Sequence, residues 1–153
     1  MTSFTISTGR KRGDFVLRDA DGRYQGSLNA GWTLRRARVQ TADGTWAIRR
    51  HGWRQVQVVA GERLLVALGP DQVNVPGPGP QPEWTANRDR GGWRGSLRRR
   101  GTEIQVRLTA PGARQGQVQV TGEWEQLDLV VLVACFVLVL HHRRRAVVAA
   151  SGT

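Results

Sequence analysis

Arg94 and Arg107 lie on two segments that alternate polar and apolar residues, and the spacing of those segments sets what the two arginines can do. Trp93, Gly95 and Leu97 share one phase and Arg94, Ser96 and Arg98 the other; beyond Arg99-Arg100-Gly101-Thr102, Ile104, Val106 and Leu108 alternate with Gln105 and Arg107. A four-residue loop folds these segments into a hairpin. Leu97 then faces Ile104, Trp93 faces Leu108, Arg98 faces Glu103 and Arg94 faces Arg107. Arg98 and Glu103 are complementary. Arg94 and Arg107 repel, so the two guanidinium groups either splay into water or share an anion through charge-assisted hydrogen bonds. With Arg98, Arg99 and Arg100 just beyond, these five arginines are the candidate site for a phosphate or an acidic lipid headgroup.

Other chemistry is sparse. The histidines are His51, His141 and His142. Neighbouring histidines on a helix point in two directions, whereas metal binding wants an i, i+4 pair. Cys135 lies inside an apolar run, with no base or positive charge to activate a thiol. Asp19-Ala20-Asp21-Gly22 has the opening of a calcium loop but lacks the later ligands and the closing glutamate, so it reads as a turn. Gly-x-Ser-x-Gly, Walker and dinucleotide patterns are absent. The expectation is a non-enzyme with no metal and no cofactor.

The net charge of +11 comes almost wholly from arginine, Lys11 being the only lysine. Phosphate groups, lipid headgroups and nucleic acid are the partners such a charge attracts. No apolar segment follows Met1, and a lone cysteine argues against a disulfide-built domain, so a cytoplasmic location is expected.

The elements that must carry these residues are short. Residues 1–13 read as a polar arm ending in Arg10-Lys11-Arg12, with Phe4 and Ile6 adding a short strand. Strands follow at Phe15–Arg18, Tyr24–Leu28, Trp32–Val39, around Trp46 and Ile48, at Trp53–Val59 and at Arg63–Leu68, with a hairpin signal at Ala42-Asp43-Gly44. Residues 76–82, Pro-Gly-Pro-Gly-Pro-Gln-Pro, form a stiff exposed excursion. Even spacing of strands with one apolar face argues for a sandwich or barrel.

One segment differs. Leu129–Leu140 is an unbroken apolar run, preceded by Glu123, Glu125 and Asp128 and followed by His141, His142, Arg143, Arg144 and Arg145. Acid before and base after suit a helix dipole, so a helix is expected over residues 127–143 with a tail at 146–153. A helix apolar on every side must be surrounded completely. Twelve residues reach about 18 Å, and a lipid span needs about 20 residues. A closed sheet of about eleven strands has room for a central helix. The expected fold is one mostly β domain over residues 1–153: a closed antiparallel β-barrel of about twelve short strands around one buried hydrophobic C-terminal α-helix. The alternative is a single-pass membrane protein anchored by residues 127–145.

At this point the chain resembles the tubby C-terminal-like superfamily, which includes the phospholipid scramblases and the LURP-one-related proteins. The matching features are Phe15-x-Leu17-x-Asp19-x-x-Gly22 and Gly122-x-Trp124-x-x-Leu127-x-Leu129 leading into the helix. They cover about Phe15 to Arg145 and rest on the order of elements more than on a sharp motif. The resemblance implies a twelve-stranded barrel closed on a C-terminal helix and binding of phosphoinositides through basic wall residues. None of those residues is matched position by position. The cysteine-rich and acidic calcium segments of scramblases are missing, which argues against calcium-driven lipid movement. The expected function is a peripheral module that binds anionic phospholipid or phosphate-bearing ligands at the inner membrane face. Non-specific nucleic-acid binding is the other alternative, although Trp46, Trp93 and Trp124 fall on the apolar phase of their segments.

Overall fold

The computed structural model describes residues 1–9, 13–31, 36–52, 55–90, 92–109 and 115–151, with side chains through Arg144. Eleven antiparallel strands form one sheet: β1 (Thr2–Thr8), β2 (Asp14–Asp19), β3 (Tyr24–Asn29), β4 (Ala37–Thr41), β5 (Gly44–His51), β6 (Gln55–Ala60), β7 (Arg63–Leu68), β8 (Glu83–Asp89), β9 (Gly92–Arg99), β10 (Thr102–Thr109) and β11 (Gln115–Thr121). Their spatial order is β7-β6-β5-β4-β3-β2-β1-β11-β10-β9-β8. The sheet curls into a nearly closed barrel. One helix, α1 (Leu127–Ser151), follows β11 and touches β3, β4, β6, β7, β9 and β10, strands from both halves of the sheet.

The alternation in the sequence explains the curl. Val39, Ile48, Val58, Leu97, Val106 and Val118 are buried, while their neighbours Gln40, Arg49, Arg98 and Gln117 face outward. The β9–β10 register pairs Leu97 with Ile104, Trp93 with Leu108, Arg98 with Glu103 and Arg94 with Arg107, as the spacing predicts. Gly95 lets β8 and β9 close up: a Cβ there would overlap the Trp84 indole, which fills the missing side chain's place. The Asp19 turn is also as expected, with Asp19 Oδ1 accepting from the Asp21 and Arg23 amides.

Two elements depart from the expectation. The short strand expected at Phe4 and Ile6 within the arm is a full strand of seven residues, Thr2–Thr8. β1 lies between β2 and β11 and joins the two halves of the sheet, with Phe4 7 % and Ile6 2 % exposed. Threonine and serine at the intervening positions suit its solvated face. Arg10, Lys11 and Arg12 lie outside the described residues, as do Trp32 and Trp53.

The other departure is at the seam between β7 and β8. Residues 69–82 run back along β7, and Ala67 and Asn74 exchange both backbone hydrogen bonds at 2.8 Å. This segment occupies the course of the twelfth strand. Pro76, Pro78, Pro80 and Pro82 lack the amides to complete it. Side chains do the pinning. The buried Gln55 donates to Gln72 O and accepts from the Asp71 and Gln72 amides, and Gln81 accepts from the Val75 amide at 2.7 Å. Gln55→Leu keeps the bulk but orphans two amides and a carbonyl. We expect it to cost about 1–3 kcal/mol, measured by urea denaturation, and to expose residues 69–82 to limited proteolysis first.

Helix α1 fills the lumen. Every residue from Leu129 to Leu140 is at most 7 % exposed, and Phe136 is fully buried. Gly26 allows β3 to approach it, since a Cβ would lie 3.0 Å from Leu132 Cδ1. The helix begins at Leu127 as predicted but continues past residue 143 to Ser151, because Arg143–Ala150 contains no helix breaker before Gly152.

The acid at its start is less favourable than the dipole alone implies. Burial, with Asp43 nearby, holds the Asp128 carboxyl above its ordinary 3.8. An acid whose folded value is raised stabilises the fold while protonated and loses that contribution as pH rises through the folded value. Asp128→Asn is therefore expected to be more stable than the parent at pH 7. The difference should vanish below pH 3.8, as thermal melts across pH would show.

Candidate anion-binding site

The structure divides the five arginines expected to form one site. Arg94 and Arg107 lie near one end of the β9–β10 hairpin, while Arg98, Arg99 and Arg100 lie at or beside its turn. Even the nearest members, Arg94 and Arg98, are four strand positions or about 14 Å apart along β9, and the second group is turned to other partners. Arg98 Nε donates to Glu103 Oε2 at 2.9 Å. The Arg99 guanidinium lies 4.7 Å from the centroid of the Trp124 ring, and Arg100 is exposed in the turn.

The Arg94–Arg107 pair already has its anion. Asp89, the last residue of β8, places Oδ2 3.1 Å from Arg94 Nη2 and 3.2 Å from Arg107 Nε. Neither contact is aligned as a hydrogen bond, so these are oblique ion pairs. The charge conflict read from the sequence is met inside the protein, by the Asp89 carboxylate. Pairing β8 with β9 would have revealed Asp89, because Trp84 and Ala86 carry the same alternation as Trp93 and Leu97.

A different cluster of arginines lies around a cleft at the same rim. Asn29, Arg36, Ala37, Arg38, Ala47, Ile48, Arg49 and Arg50 line an open cleft of about 760 Å³ where β3, β4 and β5 end. Arg36, Arg38 and Arg49 are exposed on the outer phase. All twelve acidic side chains are among the described residues, and the ion pairs found there do not involve these three arginines. Arg50 Nε donates to Gly52 O at 3.3 Å, which bends it toward its own turn. The signal for this cleft was present in the sequence: extending the hairpin at Ala42-Asp43-Gly44 brings Arg38 opposite Ala47, the register observed.

The strand register also sorts charge along the barrel. The helix leaves the lumen where His141 stacks on Trp93 with ring centroids 4.9 Å apart. Arg88 near the end of β8 and Arg90 just after it lie there, beside Arg94 and Arg107; the four cleft arginines and Arg143 and Arg144 of α1 lie at the same end. Among the described residues, those ten arginines share their end of the barrel with three carboxylates, Asp14, Asp71 and Asp89. The opposite end carries Arg18, Arg23, Arg63, Arg98, Arg99 and Arg100 against the other nine carboxylates. Local titration agrees with this polarity. His142 is held below its ordinary value by burial and then by Arg143 and Arg88.

Among the described residues no three His, Cys, Asp or Glu side chains come together as a metal set, and no helix is long and apolar enough to cross a membrane. No family model, curated protein or solved structure matches the chain. Fold and site together define a helix-filled antiparallel barrel with one strongly basic end.

Proposed function

We propose that the protein is a non-enzymatic, tubby-like peripheral module that docks on anionic phospholipid, such as that of the inner membrane face, with its helix-exit end toward the surface. The observation that carries this reading is the sorting of charge among the described residues: ten arginines against three carboxylates at one end, and six against nine at the other. A basic residue near an anionic leaflet is worth about 1 kcal/mol. Attraction at one end and repulsion at the other give the barrel an orientation as well as an affinity.

Two further observations favour this reading over its alternatives. Leu129–Leu140 is enclosed by the sheet, which takes the apolar run out of use as an anchor. Trp46, Trp84, Trp93 and Trp124 pack against the core and so do not serve as stacking platforms for bases. Sedimentation with phosphatidylserine-containing vesicles is the test. Binding should be clear at low salt, weaken steeply as salt rises, and be absent on phosphatidylcholine alone. Equal partition onto both vesicles, or none onto either, would refute the reading.

A further inference from the structure

We propose that the cleft beside β4 and β5 is a discrete site for a phosphomonoester dianion, gripped between Arg36 and Arg49. The β4–β5 ladder ends at the pair Ala37–Ile48; Arg36 and Arg49 are the residues next to that last pair, and both line the cleft. Two like charges thus border one opening, as Arg94 and Arg107 do where β9 and β10 pair them directly. In that hairpin Asp89 supplies the anion. Here, among the described residues, no carboxylate pairs with Arg36, Arg38 or Arg49, and Arg38 adds a third positive charge on the diagonal.

The chemistry of the lining narrows the ligand. A guanidinium fork presents paired donors that match phosphate oxygens, and like charges directly opposite on a strand pair destabilise it until an anion bridges them. Three exposed arginines around one opening balance a dianion better than the single charge of a carboxylate or a phosphodiester. Ala47, opposite Arg38, is too small to fill the opening. Asn29 Oδ1 already accepts from the Gly31 amide at 3.0 Å, which leaves its NH2 group as a neutral donor toward the cleft. The site is local and stoichiometric, unlike the diffuse attraction of the basic end, and it stands whether or not the barrel meets a membrane. A free phosphomonoester and a lipid headgroup present the same dianion.

Titration of the 15N-labelled protein with inorganic phosphate at pH 7.5, followed on the arginine Nε–Hε signals, tests the site. Saturable shifts are expected at Arg36, Arg38 and Arg49, with affinity falling by about tenfold or more in Arg36→Gln/Arg49→Gln, since each lost partner was a charge-assisted donor. Arg23→Gln/Arg63→Gln removes the same charge at the other end and should titrate like the parent. Unsaturable shifts spread over all arginines, or a cleft variant that titrates like the parent, would overturn the site. A second arm compares phosphatidic acid with phosphatidylserine vesicles at matched surface charge. Preference for phosphatidic acid assigns the dianion to a headgroup; saturation by inorganic phosphate without that preference assigns it to a soluble ligand.

Discussion

Replacing Phe136 by alanine is expected to cost about 3–5 kcal/mol and to lower the melting temperature by roughly 10 °C. Phe136 is fully buried at the middle of a helix whose every face is covered from Leu129 to Leu140. The cavity left behind has sheet on all sides, and an enclosed helix cannot slide far to refill it. The same substitution on a helix lying in lipid or open to water would leave no such cavity and would shift the melt little. Calorimetry on the detergent-free protein therefore reads the enclosure directly.

The second large effect concerns the basic end. Arg88→Gln/Arg90→Gln removes two charges beside the helix exit, outside the phosphate cleft; they flank Asp89 in the chain but are not its ion-pair partners, which are Arg94 and Arg107. At about 1 kcal/mol each, the pair should weaken binding to phosphatidylserine vesicles about 30-fold at low salt. Arg23→Gln/Arg63→Gln changes net charge equally at the opposite end and should change binding little. Equal loss from both variants would mean that net charge alone governs attraction and that the barrel has no preferred orientation. Because phosphatidylserine carries no phosphomonoester, this comparison leaves the phosphate cleft untouched.

What the sequence made legible followed from local periodicity. The β9–β10 register could be drawn residue by residue, because each side of a two-residue repeat has only one apolar phase. The run at Leu129 needed enclosure on all sides, and the number of amphipathic strands matched the circumference required. The misreadings came from non-local pairing. β1 looked like an arm because it has only two large apolar residues, Phe4 and Ile6, and both of its partners lie elsewhere in the chain, with β11 over a hundred residues away. Arg94 and Arg107 seemed to need an outside anion because Asp89 reaches them only after β8 is laid against β9. The turn at Ala42-Asp43-Gly44 makes the β4–β5 register legible as far as Ala37 and Ile48, but Arg36 and Arg49 lie just beyond that last pair. The proline-rich segment showed its stiffness in the sequence, but its place along β7 depends on Gln55 and Gln81, whose amides gave no sequence signal.

The most direct measurement uses the chain's one cysteine. Cys135 is wholly buried at the centre of the helix, and burial pushes its thiol up to about 12. With an aromatic disulfide reagent in buffer without detergent, the native protein should release no chromophore. In denaturant one equivalent should appear at the rate of global unfolding. Prompt, full reaction of the thiol in the folded protein would show that the sheet does not enclose the helix.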